Sequence, residues 1–200
     1  ASSSLLLPPP SSLSASSTRP PRPPVTNGDR FQALWRRLIS EVIYPEVMQH
    51  VRSLPQYEGD EDEGLFYQAV PTFRCHMPGT GRPLTLKHTD ASYHHQPTEC
   101  NIWLPITPVG GNNSLFVESA PGEADFHALE ALPGQYVRFW GNQVEHYTEV
   151  NDTESTRISF DVRVVPACLF DHFFVSSEGS SAPLDHYHFL LPASAPTSGT

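Results

Sequence analysis

Leu84-Thr85-Leu86-Lys87-His88-Thr89-Asp90 is the stretch on which the reading of this chain turns. The run reads as a short β-strand that closes in a His-x-Asp pair. Residues two apart in a strand point to the same face, so His88 and Asp90 aim an imidazole and a carboxylate at a common point. Two such donors do not complete a metal site. His146, inside the β-rich run Gln143-Val144-Glu145-His146-Tyr147-Thr148, is the best third donor. Further on, Arg157-Ile158-Ser159 lies on another expected strand. Its guanidinium suits a two-pronged grip on a carboxylate, and the Ser159 hydroxyl points the same way.

Two histidines and one carboxylate that leave other metal positions open form the ligand set of non-haem Fe(II) oxygenases. The ordered set His88-x-Asp90, His146, Arg157-x-Ser159 resembles the Fe(II)/2-oxoglutarate-dependent dioxygenases. The words around it sharpen the likeness: residues 87–93, Glu99-Cys100-Asn101-Ile102-Trp103-Leu104-Pro105-Ile106-Thr107, Gly111-Asn112-Asn113-Ser114-Leu115 and Glu118-Ser119-Ala120-Pro121-Gly122. They are similar to the phytanoyl-CoA-hydroxylase-like superfamily, and within it to the streptomycin-biosynthesis-type branch. The resemblance spans residues 66–166.

That resemblance implies Fe(II) held by His88, Asp90 and His146, with 2-oxoglutarate and dioxygen at the open positions and succinate and CO2 released. It makes Arg157 the anchor of the far carboxylate of 2-oxoglutarate, helped by Ser159. Asn101 and Thr148 become candidate hydrogen-bond partners of the co-substrate, and Arg74 a candidate pocket residue. Relatives that halogenate carry a small residue where Asp90 stands, so hydroxylation of a small-molecule substrate is expected. His94 and His95 are expected at the entrance. His186-x-His188 has no carboxylate partner and is set aside as a ligand pair.

At 200 residues the chain suits one domain with a sizeable core. A net charge of −10 argues against a nucleic-acid surface, and no apolar run approaches a membrane span. Three widely spaced cysteines argue against a disulfide framework and for a reducing compartment. The expected location is cytoplasmic, or organellar if the Ser/Pro-rich start is a transit peptide. Nothing in the residues speaks to oligomeric state.

Residues 1–28, rich in Ser and Pro, bury too little apolar surface to offset the entropy of ordering and read as disordered. Helical spacing then runs from Phe31 through Leu34, Trp35, Leu38 and Val42, with Ile39 and Ile43 beside them and Asn27 or Asp29 as cap; Pro45 is expected to break or kink the helix, with a second turn or two from Pro45 to Arg52. The acidic run Asp60-Glu61-Asp62-Glu63 reads as a solvated loop. Beyond Leu65 the period shortens to two. Strands are expected over 66–77, 84–90, 100–107, 114–118, 135–140, 144–150 and 156–165, separated by Gly, Pro and Asn turns.

The expected fold is mainly β, a double-stranded β-helix (a jelly roll, or cupin-like) with an N-terminal helix on its outside. The oxygenase domain is placed at 29–170 and a partly ordered extension at 171–200. Two rivals remain: a cupin-like metalloenzyme that takes no keto acid, which Arg157-x-Ser159 opposes, and a jelly-roll binding module without turnover, which the complete ligand set opposes.

Overall fold

The longest strand, Arg157–Pro166 (β8), is the axis of the larger sheet in this computed structural model, which describes residues 27–55, 57, 59, 63–175 and 187–190. The expectations for residues 1–26, for Asp60, Glu61 and Asp62, and for His186 lie outside the described residues, as do 176–186 and 191–200 of the extension. On one side β8 pairs with Cys100–Pro105 (β3), which in turn pairs with Val137–Phe139 (β6). On its other side the first half of β8 pairs with Thr72–His76 (β2). The second half pairs with Leu65–Gln68 (β1), whose far edge takes Tyr187–Leu190 (β9). All these pairings are antiparallel. A smaller sheet consists of Phe116–Val117 (β4) between His127–Ala128 (β5) and His146–Tyr147 (β7).

The two sheets bury Trp103, Leu115, Val117, Leu129 and Val144 between them. The fold is therefore mainly β, two antiparallel sheets with the chain's helix outside, as the pattern implies. Alternation along β8 explains the layering. Arg157, Asp161 and Arg163 line the interior with Trp103 of β3. Val162 and Val164 face the other way and join Ile102 under the helix. Packing thus rewards a polar inner face only where something polar is to be held there.

The helix runs as Asn27–Leu38 (α1), a wide π turn Ile39–Ile43, and Tyr44–Val51 (α2). The interruption expected at Pro45 lies just before it, and the second helical segment ends at Val51, beside the expected Arg52. A proline here has no N–H to give and its ring crowds the preceding turn; the π turn, in which the Tyr44 N–H reaches back to the Ile39 carbonyl, absorbs that extra residue. The buried stripe is Trp35, Ile39, Ile43, Val47, Met48 and Val51, whereas Leu34 and Val42 face solvent.

Two strand expectations are corrected. The span 66–77 is two strands, because the chain bends at Ala69-Val70-Pro71 to move from one half of β8 to the other. The span 84–90 is not a strand: only His88 makes a bridge, to His146. Asp90 begins a 3-10 turn over Asp90–Tyr93. Strands β5 and β9 were not expected; β5 has two residues, too few for periodicity to register, and β9 follows a weakly patterned stretch.

The acidic run is also corrected at Glu63, which is not a solvated loop residue. Its carboxylate accepts from Arg52 Nε (2.6 Å) and Nη2 (2.8 Å), Tyr44 Oη (2.5 Å) and Tyr57 Oη (2.8 Å), stapling α2 to the entry of β1. The Arg52 hydrogen bonds, aided by the tyrosines and opposed by burial, push its pKa down from 4.5 to about 2. A depressed carboxylate stabilises the fold above its unfolded value and ceases to do so as pH falls through the folded one. Glu63→Gln is expected to cost about 1 kcal/mol at pH 7. The gap from wild type should close between pH 4.5 and about 2 in urea unfolding curves.

Candidate metal centre

His146 is placed by β7, which pairs with β4 at Val117. Its neighbour across the bridge is His88: the N–H of each donates to the carbonyl of the other, at 2.9 and 3.1 Å. Thr89 keeps the extended backbone of the expected strand for one more residue, and the Asp90 N–H donates to the Gly141 carbonyl at 2.8 Å. Two-residue alternation therefore still carries Asp90 to the side of His88, although no regular strand exists there.

One donor atom each from His88, Asp90 and His146 lie within 4.8 Å of one another. Asp90 Oδ1 is 3.8 Å from His88 Nε2 and 3.7 Å from His146 Nε2. Each imidazole has its other nitrogen at a backbone carbonyl: His88 Nδ1 at Leu86 O (2.7 Å) and His146 Nδ1 at Val144 O (3.1 Å). A carbonyl only accepts, so the proton sits on Nδ1 and the Nε2 lone pair is left for a metal. Burial keeps His146 neutral, lowering its pKa against the opposing pull of Asp90. Burial would raise the Asp90 pKa, but Arg163 and Asn101 outweigh it and hold the carboxyl ionised, well below the usual range. Two imidazoles presenting Nε2 and a carboxylate fit a divalent first-row metal.

His88 and His146 open on a cavity with Trp103, Leu115, Phe139 and Arg157 in its walls. Three guanidiniums line it. Arg74 is spent on Asp161, at 3.0 and 3.1 Å, and Arg163 on Asp90, at 2.9 and 2.7 Å. Arg157, 1% exposed, has hydrogen-bond partners for neither Nε nor Nη1. Burial, with Arg74 beside it, pushes its pKa down to about 10. The Ser159 hydroxyl, next on the same face, is buried and likewise unpartnered. An unpaired buried guanidinium is costly, and it beckons an anion.

The other expected residues divide. Asn101 lines the cavity, but its Nδ2 donates to Asp90 Oδ2 (2.7 Å), which leaves its Oδ1 as the free atom. Thr148 also lines the cavity, and its Oγ1 accepts from the N–H groups of Leu84 and Thr85, both at 2.8 Å. It splints the approach to His88. His95 does not stand at the entrance; its Nδ1 lies 2.8 Å from Glu99 Oε2. His188, on β9, pairs with Tyr67 of β1, in the larger sheet and not in the sheet that holds β7.

Sequence reasoning missed Arg163, Glu99 and His76. Counting by twos would have found them: Arg163 continues 157, 159, 161; Glu99 precedes Asn101 by two; His76 follows Arg74 by two. Gly141 was missed as well. A Cβ there would stand 2.7 Å from Asn101 Nδ2 and 2.8 Å from its Oδ1. Gly141→Ala is expected to push Asn101 off Asp90 and cost about 1–3 kcal/mol, read from denaturant midpoints.

No protein-family model matches the sequence. StrG of Streptomyces griseus, a streptomycin biosynthesis protein, is 34% identical over 113 residues, which cover 56% of this chain and 53% of that one. The sequence relative is a streptomycin-biosynthesis-type protein. The chain spans about half the length of this curated relative. Solved structures with which the chain aligns include the apo form of ThoJ, a non-heme monooxygenase, at 16% identity and TM-score 0.48, covering 67% of this chain and 55% of that one. SnoN, a non-heme alpha-ketoglutarate-dependent epimerase from nogalamycin biosynthesis, aligns at 17% identity and TM-score 0.47, covering 86% and 74%. Among the described residues no helix is long and apolar enough to cross a membrane.

Proposed function

We propose that this chain is an Fe(II)- and 2-oxoglutarate-dependent oxygenase that oxidises, most simply by hydroxylation, a small-molecule substrate. The observation that carries this reading is Arg157, a buried guanidinium with two unpartnered nitrogens in the same cavity as His88 and His146, which form the donor cluster with Asp90. In a cupin that takes no keto acid that arginine would have nothing to hold.

His88, Asp90 and His146 would hold the iron, and Arg157 with Ser159 would take the far carboxylate of 2-oxoglutarate in a charge-assisted, forked contact. Bound iron would supply the activation of dioxygen, coupled to decarboxylation of 2-oxoglutarate to succinate and CO2. The protein contributes position and dryness. Trp103, Leu115 and Phe139 make the cavity apolar around its few polar groups, so the reactants meet without competing water. A small-molecule substrate accords with the antibiotic-pathway name of the sequence relative.

Anaerobic addition of Fe(II) and 2-oxoglutarate to the metal-free chain tests this. A visible charge-transfer band is expected, with succinate released once oxygen and substrate are supplied. Metal binding without any 2-oxoglutarate binding would leave a different metalloenzyme; neither would leave a module without turnover.

A further inference from the structure

Behind Asp90 lies a set of buried charges that the reading above does not use. Arg163, on the inner face of β8, donates from Nη2 to Asp90 Oδ1 (2.7 Å) and from Nε to Oδ2 (2.9 Å). Asn101 Nδ2 donates to the same Oδ2 (2.7 Å). A carboxylate oxygen has two lone pairs in its plane. On Oδ2 both are taken. On Oδ1 one is taken, and this is the oxygen 3.8 and 3.7 Å from the Nε2 atoms of His88 and His146.

Arg163 is itself held from behind. Glu99, 1% exposed, has Oε2 3.8 Å from Arg163 Nε and 2.8 Å from His95 Nδ1. Its Oε1 accepts from the Gln96 N–H (2.9 Å) and from Tyr187 Oη (2.8 Å). Tyr187 is the first residue of β9, which joins the large sheet only through β1. A buried carboxylate so placed has no outlet to water. Its orientation is set by the tyrosine hydroxyl, with His95 and Arg163 beside its other oxygen.

Resting on the metal reading above, we propose that Arg163, with Asn101, is the positioning residue that makes Asp90 a one-oxygen metal ligand. Glu99 and Tyr187 hold Arg163 in place, which makes strand β9 part of the support of the metal site. A carboxylate confined to one oxygen takes a single position on the metal and leaves more of them for co-substrate and oxygen. Free to turn, Asp90 would offer both.

The test uses the full metal-free chain, titrated with Co2+ and followed by calorimetry and by visible absorption of the bound ion. Arg163→Lys keeps the charge but offers a single point of contact, so it cannot occupy both oxygens. It is expected to weaken Co2+ binding about 10–100-fold and to change the Co2+ spectrum, as changes behind a metal ligand do. Tyr187→Phe, which touches neither metal nor ligand, is expected to weaken Co2+ binding severalfold with the same direction of spectral change. Because both act through Arg163, the double variant should bind no worse than Arg163→Lys alone. Unchanged affinity and spectrum in a folded Arg163→Lys chain would overturn the assignment. Should that variant not fold, unchanged affinity and spectrum in Tyr187→Phe overturn it instead. A wild-type chain that binds no Co2+ overturns the metal reading itself, a result distinct from both.

Discussion

Arg157→Met is expected to abolish 2-oxoglutarate binding at working concentrations while leaving the ligand-free protein at least as stable as wild type. The binding loss follows from two charge-assisted hydrogen bonds, at about 1.5–3 kcal/mol each. A combined loss near 3 kcal/mol is roughly a hundredfold in the dissociation constant. The stability side runs the other way. Arg157 is 1% exposed and has no hydrogen-bond partner for Nε or Nη1, so the folded protein carries an uncompensated charge until an anion arrives. The lowering of its pKa to about 10 by burial and by Arg74 has the same origin. Methionine fills similar space without that cost. Arg157→Lys should fall between, since an ammonium cannot reproduce the fork. Calorimetric titration with 2-oxoglutarate in the presence of Mn2+, beside thermal melts of the metal-free chain, reads both halves. Wild-type affinity in Arg157→Met would remove the anchor from this side chain.

Asp90→Ala carries the opposite signature, losing metal and fold stability together. Only two donors remain, so metal affinity should fall by more than the roughly 10–100-fold seen for changes behind a ligand. In the metal-free protein Arg163 is stranded, buried with only Glu99 at 3.8 Å, and breaking such a pair costs about 3–5 kcal/mol. The double variant Asp90→Ala with Arg163→Met should recover much of this, because it removes the stranded charge too. Urea unfolding of the four proteins closes the cycle. The pH dependence has a definite sign. The folded Asp90 carboxyl is held below its ordinary 3.8, so its stabilisation is full above that value and is lost as acid is added below it. In Asp90→Ala the corresponding slope should vanish. A double variant no more stable than the single one would show that Asp90 and Arg163 are not energetically paired.

Some features were legible before any coordinates because they are local or periodic. The alternation beyond Leu65 and its turn residues announced a β fold, and the helical stripe around Trp35 and Ile39 announced the covering helix. The spacing His88-x-Asp90 survived even though its strand did not, because one extended residue, Thr89, suffices to bring two side chains to one side. Other features were not legible because they depend on what faces a residue across space. Pro45 announced an interruption of the helix, but not that it takes the form of a π turn just before it. Glu63 looked like one more solvated acid until Tyr44, Tyr57 and Arg52 closed on it.

By itself the sequence determined the kind of chain this is: β-rich, helix-backed, carrying two imidazoles, an acid and an arginine in an order that chemistry can use. Only the tertiary structure decided which charges are spent and which are spare. Arg74, Arg157 and Arg163 are alike on paper, the first on β2 and the other two on one face of its partner β8. Asp161 satisfies the first and Asp90 the last, and Arg157 is left over. Pairing of that sort is a matter of distance across strands far apart in sequence, in a dry interior where an unmatched charge is expensive.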